Sequence, residues 1–133
     1  MGTRSVTYIH EMESLDEGVV CGFYRHFDGY PSGHGQDMAN WLKDKKLVNG
    51  IGSDFDPSYM FNRAGAMSVK FVNHIQNVAG AEMIFERDAD VGQDCTYHIW
   101  YRNDKFWIQI DDGNLIEAVN FNGEKIEEEL YED

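Results

Sequence analysis

The chain is expected to fold as an α+β protein, an antiparallel β-sheet built from an N-terminal hairpin and a C-terminal meander, in the order ββααββββ, packed against two helices. Three observations predict it. β-branched and aromatic residues crowd positions 3–10 and 18–27 around a polar link. The apolar period then shifts to helical spacing between Met38 and Val78, and beyond Gly80 it returns to alternation.

If the first two strands pair antiparallel about Glu11–Glu17, Thr3 to Ser5 must lie beside Arg25 to Asp28. The turn Asp28-Gly29-Tyr30-Pro31-Ser32-Gly33 follows. Met38, Trp41 and Leu42 then mark a first helix of about three turns, closed by Lys43, Lys45 and Lys46 where cations suit the helix dipole. After the loop Asn49–Ser53, Asp56 as N-cap and Pro57 in the first turn predict a second helix. Met60, Ala64, Met67, Phe71, Ile75 and Val78 form its apolar stripe and Gly80 its end. Ala81–Glu86, Cys95–Arg102, Lys105–Asp111 and Leu115–Phe121 read as the strands of the meander, with Asn103-Asp104, Asp112-Gly113-Asn114 and Asn122-Gly123 at their turns or ends. The acidic tail 124–133 carries two signals. Ile126 and Leu130 are spaced as on a helix, whereas Asn122-Gly123 suits a hairpin into a last strand.

With 133 residues, 42% of them hydrophobic, the chain is sized for one packed domain spanning 1–133. Its 24 acidic against 11 basic residues leave a net charge of −13, which disfavours direct binding to nucleic-acid phosphates or anionic lipid. The same acidity is compatible with imitation of nucleic acid toward a basic host protein, and with solubility alone. Cys21 and Cys95 are far apart, without a C-x-x-C pair or a secretory signal, so a reduced cytoplasmic protein with two free thiols is expected. No apolar run is long enough for a membrane span, and Val6 stands where a myristoylation signal needs Ser or Thr.

Gly2-Thr3-Arg4-Ser5, the run Arg25-His26-Phe27-Asp28-Gly29-Tyr30-Pro31-Ser32-Gly33 and then Leu47-Val48-Asn49-Gly50 resemble a family of small uncharacterised bacteriophage and prophage proteins. Members begin with Gly-Thr-Arg-Ser and carry an aromatic-Asp-Gly-Tyr-Pro turn before a helix. Phe27 stands where relatives often have Trp. The resemblance covers about the first fifty residues and implies a viral origin and a host-cell cytoplasm. It assigns no catalytic residue.

The hairpin adjacency suggests a site, because Thr3, Arg4 and Ser5 come near His26, Asp28 and Tyr30 just before the helix start at Gly33 and His34. Free amides there, with Arg4 as a planar fork of donors, would cradle a small anionic, nucleotide-like ligand. The plainer reading is a turn shaped by Asp28 and Tyr30 and locked by an Arg4–Asp28 pair. His26, Asp28, His34 and Asp37 match no standard metal spacing, so no metal is assigned. Asp54 is expected to be solvated and His74 to be a satisfied boundary histidine. His98, Trp100 and Trp107 are expected to pack beneath the helices, or else to form an aromatic patch on the sheet.

No nucleophile elbow, Cys–His pair, phosphate loop or dinucleotide fingerprint is present, so the sequence names no catalytic residue and no cofactor. The expected function is that of a phage accessory protein that binds a small anionic ligand or blocks a host protein. A nucleic-acid mimic is the alternative, and a small metal-dependent hydrolase using His26 and Asp28 is third. A homodimer is compatible with exposed aromatics and edge strands.

Overall fold

The computed structural model describes residues 3–11, 19–84 and 90–130. Most of the predicted hairpin link, the distal end of the Ala81–Glu86 strand, Gly2 and the last three residues of the acidic tail lie outside them. The architecture is α+β, with three α-helices, a six-stranded sheet and a separate two-stranded sheet among the described residues.

The N-terminal hairpin forms as predicted. β1 (Ser5–His10) and β2 (Val19–Arg25) pair antiparallel from Ser5↔Arg25 to His10↔Val19, with an irregularity between Ile9 and His10. The meander is broken, however. The sheet runs β5-β2-β1-β6-β7-β8, so the hairpin is inserted between β5 (Ala81–Ile84) and β6 (Cys95–Arg102). β5 pairs β2, and β1 pairs β6 in parallel from Ser5↔Cys95 to Ile9↔Ile99. Only β6, β7 (Lys105–Ile110) and β8 (Ile116–Glu117) keep the meander order. Strand alternation is a property of one segment and says nothing of which edge that segment will find.

The helices also depart from expectation in their bounds. The chain enters the first through a π-helical turn, Pro31–Gly35, and continues into α1 (Gln36–Leu42). Lys46 does not close that helix; it opens β3 (Lys46–Val48), which pairs in parallel with β4 (Met60–Asn62). The second helix, α2 (Arg63–Ile75), therefore starts six positions later than Asp56 as N-cap predicts. Asp56 does cap a turn, since its carboxylate accepts from Ser58 N and Oγ and its carbonyl from Met60 N at 2.9 Å. Strand pairing then captures Met60–Asn62, with Leu47 and Phe61 buried beneath, and outweighs the local helix signal. Arg63 takes φ +68° to turn directly from β4 into α2, and Glu11, just past β1, accepts from Ala64 N and pairs with the Arg63 guanidinium. α2 ends at Ile75, leaving Val78 and Gly80 in the following turn. The tail resolves its two signals as α3 (Gly123–Leu130), and the predicted Leu115–Phe121 strand shortens to β8 followed by one 3₁₀ turn.

The core lies on one face of the sheet. Ile9, Phe23, Tyr97, Ile99, Tyr101, Phe106 and Ile108 meet Met38 and Leu42 of α1 and Met67 and Phe71 of α2, with Phe23 and Phe71 tilted at 4.6 Å between ring centroids. His98 and Trp100 are not beneath the helices. Alternation along β6 turns them to the opposite face, where His10 stacks on Trp100 at 3.6 Å, its Nε2 bonds His98 Nδ1 at 2.9 Å, and Arg102 sits over the Trp100 ring. Burial lowers the His98 pKa. Trp107 is the register partner of Trp100 on β7. Among the described residues no helix is long and apolar enough to cross a membrane, and neither Cys21 nor Cys95 is joined in a disulfide.

Candidate functional site

The hairpin places the main chain of Thr3 against the turn as expected, with Gly29 N donating to Thr3 O at 2.8 Å. Alternation then separates the side chains. Ser5 is buried beneath Gly29, so close that a Cβ at Gly29 would lie 2.7 Å from Ser5 Cβ. Arg4 points elsewhere: its main chain bonds Asp94, through N to the carboxylate and through O from the Asp94 amide, and its guanidinium lies against Gly92. Its main chain is bonded to Asp94, and no ion pair joins its side chain to Asp28. His26 also leaves the cluster, since its Nδ1 bonds Tyr24 Oη at 2.7 Å on the opposite side of β2 from Arg25.

The amides expected to receive an anion are occupied within the chain. Ser32 N donates to the Glu127 carboxylate of α3 at 2.6 Å, Gly33 N to Tyr30 O and His34 N to Asp28 O. Glu127 takes the place an anion would take at a helix start. Tyr97 Oη donates to Gly29 O at 2.6 Å, and Arg25 Nε to Phe27 O at 2.7 Å. Gly123 packs so tightly on Pro31 that no side chain fits there. The turn is thus tied to β1, β2, β6 and α3, and it holds Asp28 at φ +58°, a conformation costly for a residue with a side chain. Its outer surface presents Phe27, Asp28 and Tyr30, with Tyr30 Oη donating to Asp28 at 3.3 Å. The charge of Asp28, aided by this bond and by Glu127, raises the Tyr30 pKa.

Beneath the turn lies a knot that sequence reasoning does not reveal. His34, only 2% exposed, bonds Arg25 through Nδ1 and Thr7 Oγ1 through Nε2, both at 3.0 Å. A guanidinium can only donate, so Nδ1 accepts and Nε2 carries the proton toward Thr7, whose hydroxyl turns to Met38 Sδ. Burial first, and the Arg25 charge second, push the His34 pKa down to about 3, so the ring is neutral. A neighbouring pair completes the cluster. His74 Nε2 donates to Asp37 at 2.8 Å and its ring stacks on Trp41 at 4.8 Å. This hydrogen bond holds the Asp37 pKa below the usual carboxylate value.

His34 is therefore a structural hub, and Asp37 serves His74. Among the described residues no three His, Cys, Asp or Glu side chains converge as a metal cluster. The unforeseen members of the knot have partial signals: Thr7, Arg25 and Tyr97 share the core-facing side of their strands with Ser5, Phe23 and Cys95, two positions away. Glu127 has none, because its partner Ser32 lies far away in sequence.

No protein-family model, no curated protein and no solved structure matches this chain.

Proposed function

We propose that this protein acts by binding, presenting the rigid turn Phe27-Asp28-Gly29-Tyr30 to a lysine- and arginine-rich surface of a host protein. The observation that carries this reading is the turn itself, in which Phe27 and Tyr30 are 45% and 36% exposed beside Asp28, on a backbone anchored to four elements. Carboxylates attract a cationic surface, exposed aromatic faces accept its guanidinium and ammonium groups, and a turn ordered beforehand loses little entropy on binding. A small anionic ligand is less well served, because the amides that would cradle it are engaged and the Arg4 guanidinium lies against Gly92, away from the turn. The resemblance of the first fifty or so residues to phage proteins makes the infected bacterial cell the setting for this proposal.

The test is capture from host extract, followed by calorimetry on the identified partner. Tyr30→Ala and Asp28→Asn should each weaken binding at least about tenfold, and raised salt should weaken it further. Affinity unchanged by both substitutions, or a small anion retained in native mass spectrometry with no protein captured, would overturn the reading.

A further inference from the structure

We infer that the pocket bounded by β3, the start of β4 and the loop 50–55 is a binding site for a free α-amino acid with an apolar side chain. It shares no residue with the recognition turn, and either reading can fail without the other.

The two-stranded sheet builds the floor. Leu47 and Phe61 are register partners whose side chains are buried in the core. Alternation therefore turns Lys46 and Val48 of β3 to the outer face, with Met60, the register partner of Lys46, beside them. The loop folds back over that face and is held at both ends. Gly50 N donates to the Asn62 carboxamide oxygen at 2.8 Å, and Asp56 N to Met60 Sδ at 3.3 Å. The space between measures about 330 Å³, at the small end of ligand pockets and suited to a single metabolite. Phe55 joins Val48 and Met60 in an apolar lining. Gly50 and Gly52 leave the wall bare, since a Cβ on either would meet nothing within 4 Å.

The polar groups decide the occupant. Lys46 and Asp54 line the same pocket, yet neither side chain forms an ion pair with the other or with any other described residue. Opposite charges that face one small space without reaching each other suit a ligand that carries both signs. Between the two ties of the loop, the amides of Ile51, Gly52, Ser53 and Asp54 donate to no described residue, the one bond there running from Phe55 N to Gly52 O. An amino acid satisfies all of these groups together. Its carboxylate takes Lys46 Nζ and the loop amides, its ammonium takes Asp54, and its side chain covers Val48, Phe55 and Met60. A simple anion would meet Asp54 as a like charge, and a simple cation would meet Lys46 in the same way.

The experiment is a titration of the isotope-labelled chain with L-leucine, L-methionine and L-phenylalanine up to millimolar concentration, followed by backbone amide NMR shifts. Isocaproate and isoamylamine, which are leucine without its amine and without its carboxylate, form the second arm. The expected result is saturable shifts centred on residues 46–60, with leucine bound at least about tenfold more tightly than either fragment. Lys46→Gln and Asp54→Asn alter exposed side chains, and unfolding curves check that both variants fold. Each should weaken leucine at least about tenfold, whereas Asp54→Asn should leave isocaproate no weaker and Lys43→Gln, at an exposed lysine outside the pocket, should change nothing. No saturable shift with any of the three amino acids, isocaproate bound as tightly as leucine, or leucine affinity indifferent to Asp54→Asn would each overturn the inference.

Discussion

The turn at 28–35 and the loop at 49–59 use similar residues, yet the structure treats them oppositely. Each connects a strand to the next element through Asp, Gly and Pro. The turn is bonded to β1, β2, β6 and α3. The loop is bonded mostly to itself, through Phe55 N to Gly52 O, Tyr59 N to Asp56 O and Ser58 to Asp56, with Gly50 N reaching Asn62 as its longer tie. Gly29 is hemmed in by backbone and by Ser5, while a Cβ on Gly50 or Gly52 would meet nothing within 4 Å. Turn chemistry reports that the chain bends; tertiary bonding decides whether the bend is fixed.

Acid should separate the two regions most strongly. The folded His34 pKa of about 3 lies below its ordinary value of 6.5, so the folded state binds fewer protons than the unfolded chain. Its contribution is complete above the unfolded value and is lost as pH falls from there toward the folded value, a change on the order of 5 kcal/mol. Urea unfolding measured across that interval should show this slope, and His34→Gln should flatten it by about one proton. Asp56→Asn, in the loop, should leave the slope in place. A slope insensitive to His34 would mean that the knot beneath the turn is wet.

The glycines give the next largest contrast. Gly29→Ala should destabilise by about 3 kcal/mol, because the added carbon meets Ser5 and the Thr3 carbonyl. Gly52→Ala should stay within about 0.5 kcal/mol of the parent. Chemical denaturation of both variants measures the difference directly, and equal effects would erase the distinction between anchored turn and open loop.

The smallest effect sharpens the role of α3. Glu127→Gln keeps an acceptor for Ser32 N but removes its charge, and should cost about 1 kcal/mol. Hydrogen exchange at Ser32 should quicken in that variant. An unchanged rate would show that the Gly123–Pro31 packing alone seats the helix.

What is legible in the sequence divides along the same line. The β1–β2 hairpin, the main-chain contact of Thr3 with the turn and the core positions of α2 are readable, because each depends on neighbours in sequence or on a repeating period. The start of α2 is misplaced by local signals, since Asp56-Pro57 is a genuine cap that β3 overrides by recruiting Met60–Asn62. The anion cradle fails for two reasons. Alternation, which the sequence does contain, sends Arg4 away from Ser5, and Glu127, which no local pattern announces, takes the Ser32 amide. Arg25 escapes notice because a charged residue at a strand end looks solvated until His34 is buried beside it.

The parallel pairing of β1 with β6 also governs the order in which the protein can assemble. Ser5 and Cys95 are register partners, so β1 must wait for a strand synthesised ninety residues later, about 5 to 18 s at ordinary translation rates. In that interval β1 and β2 can form a hairpin, but its edge toward β6 is open and bears Val6, Ile9 and Tyr8 with no partner strand. Closing so long a loop is entropically slow, and the exposed edge is the place where a nascent chain of this fold is most vulnerable to aggregation and most in need of a chaperone.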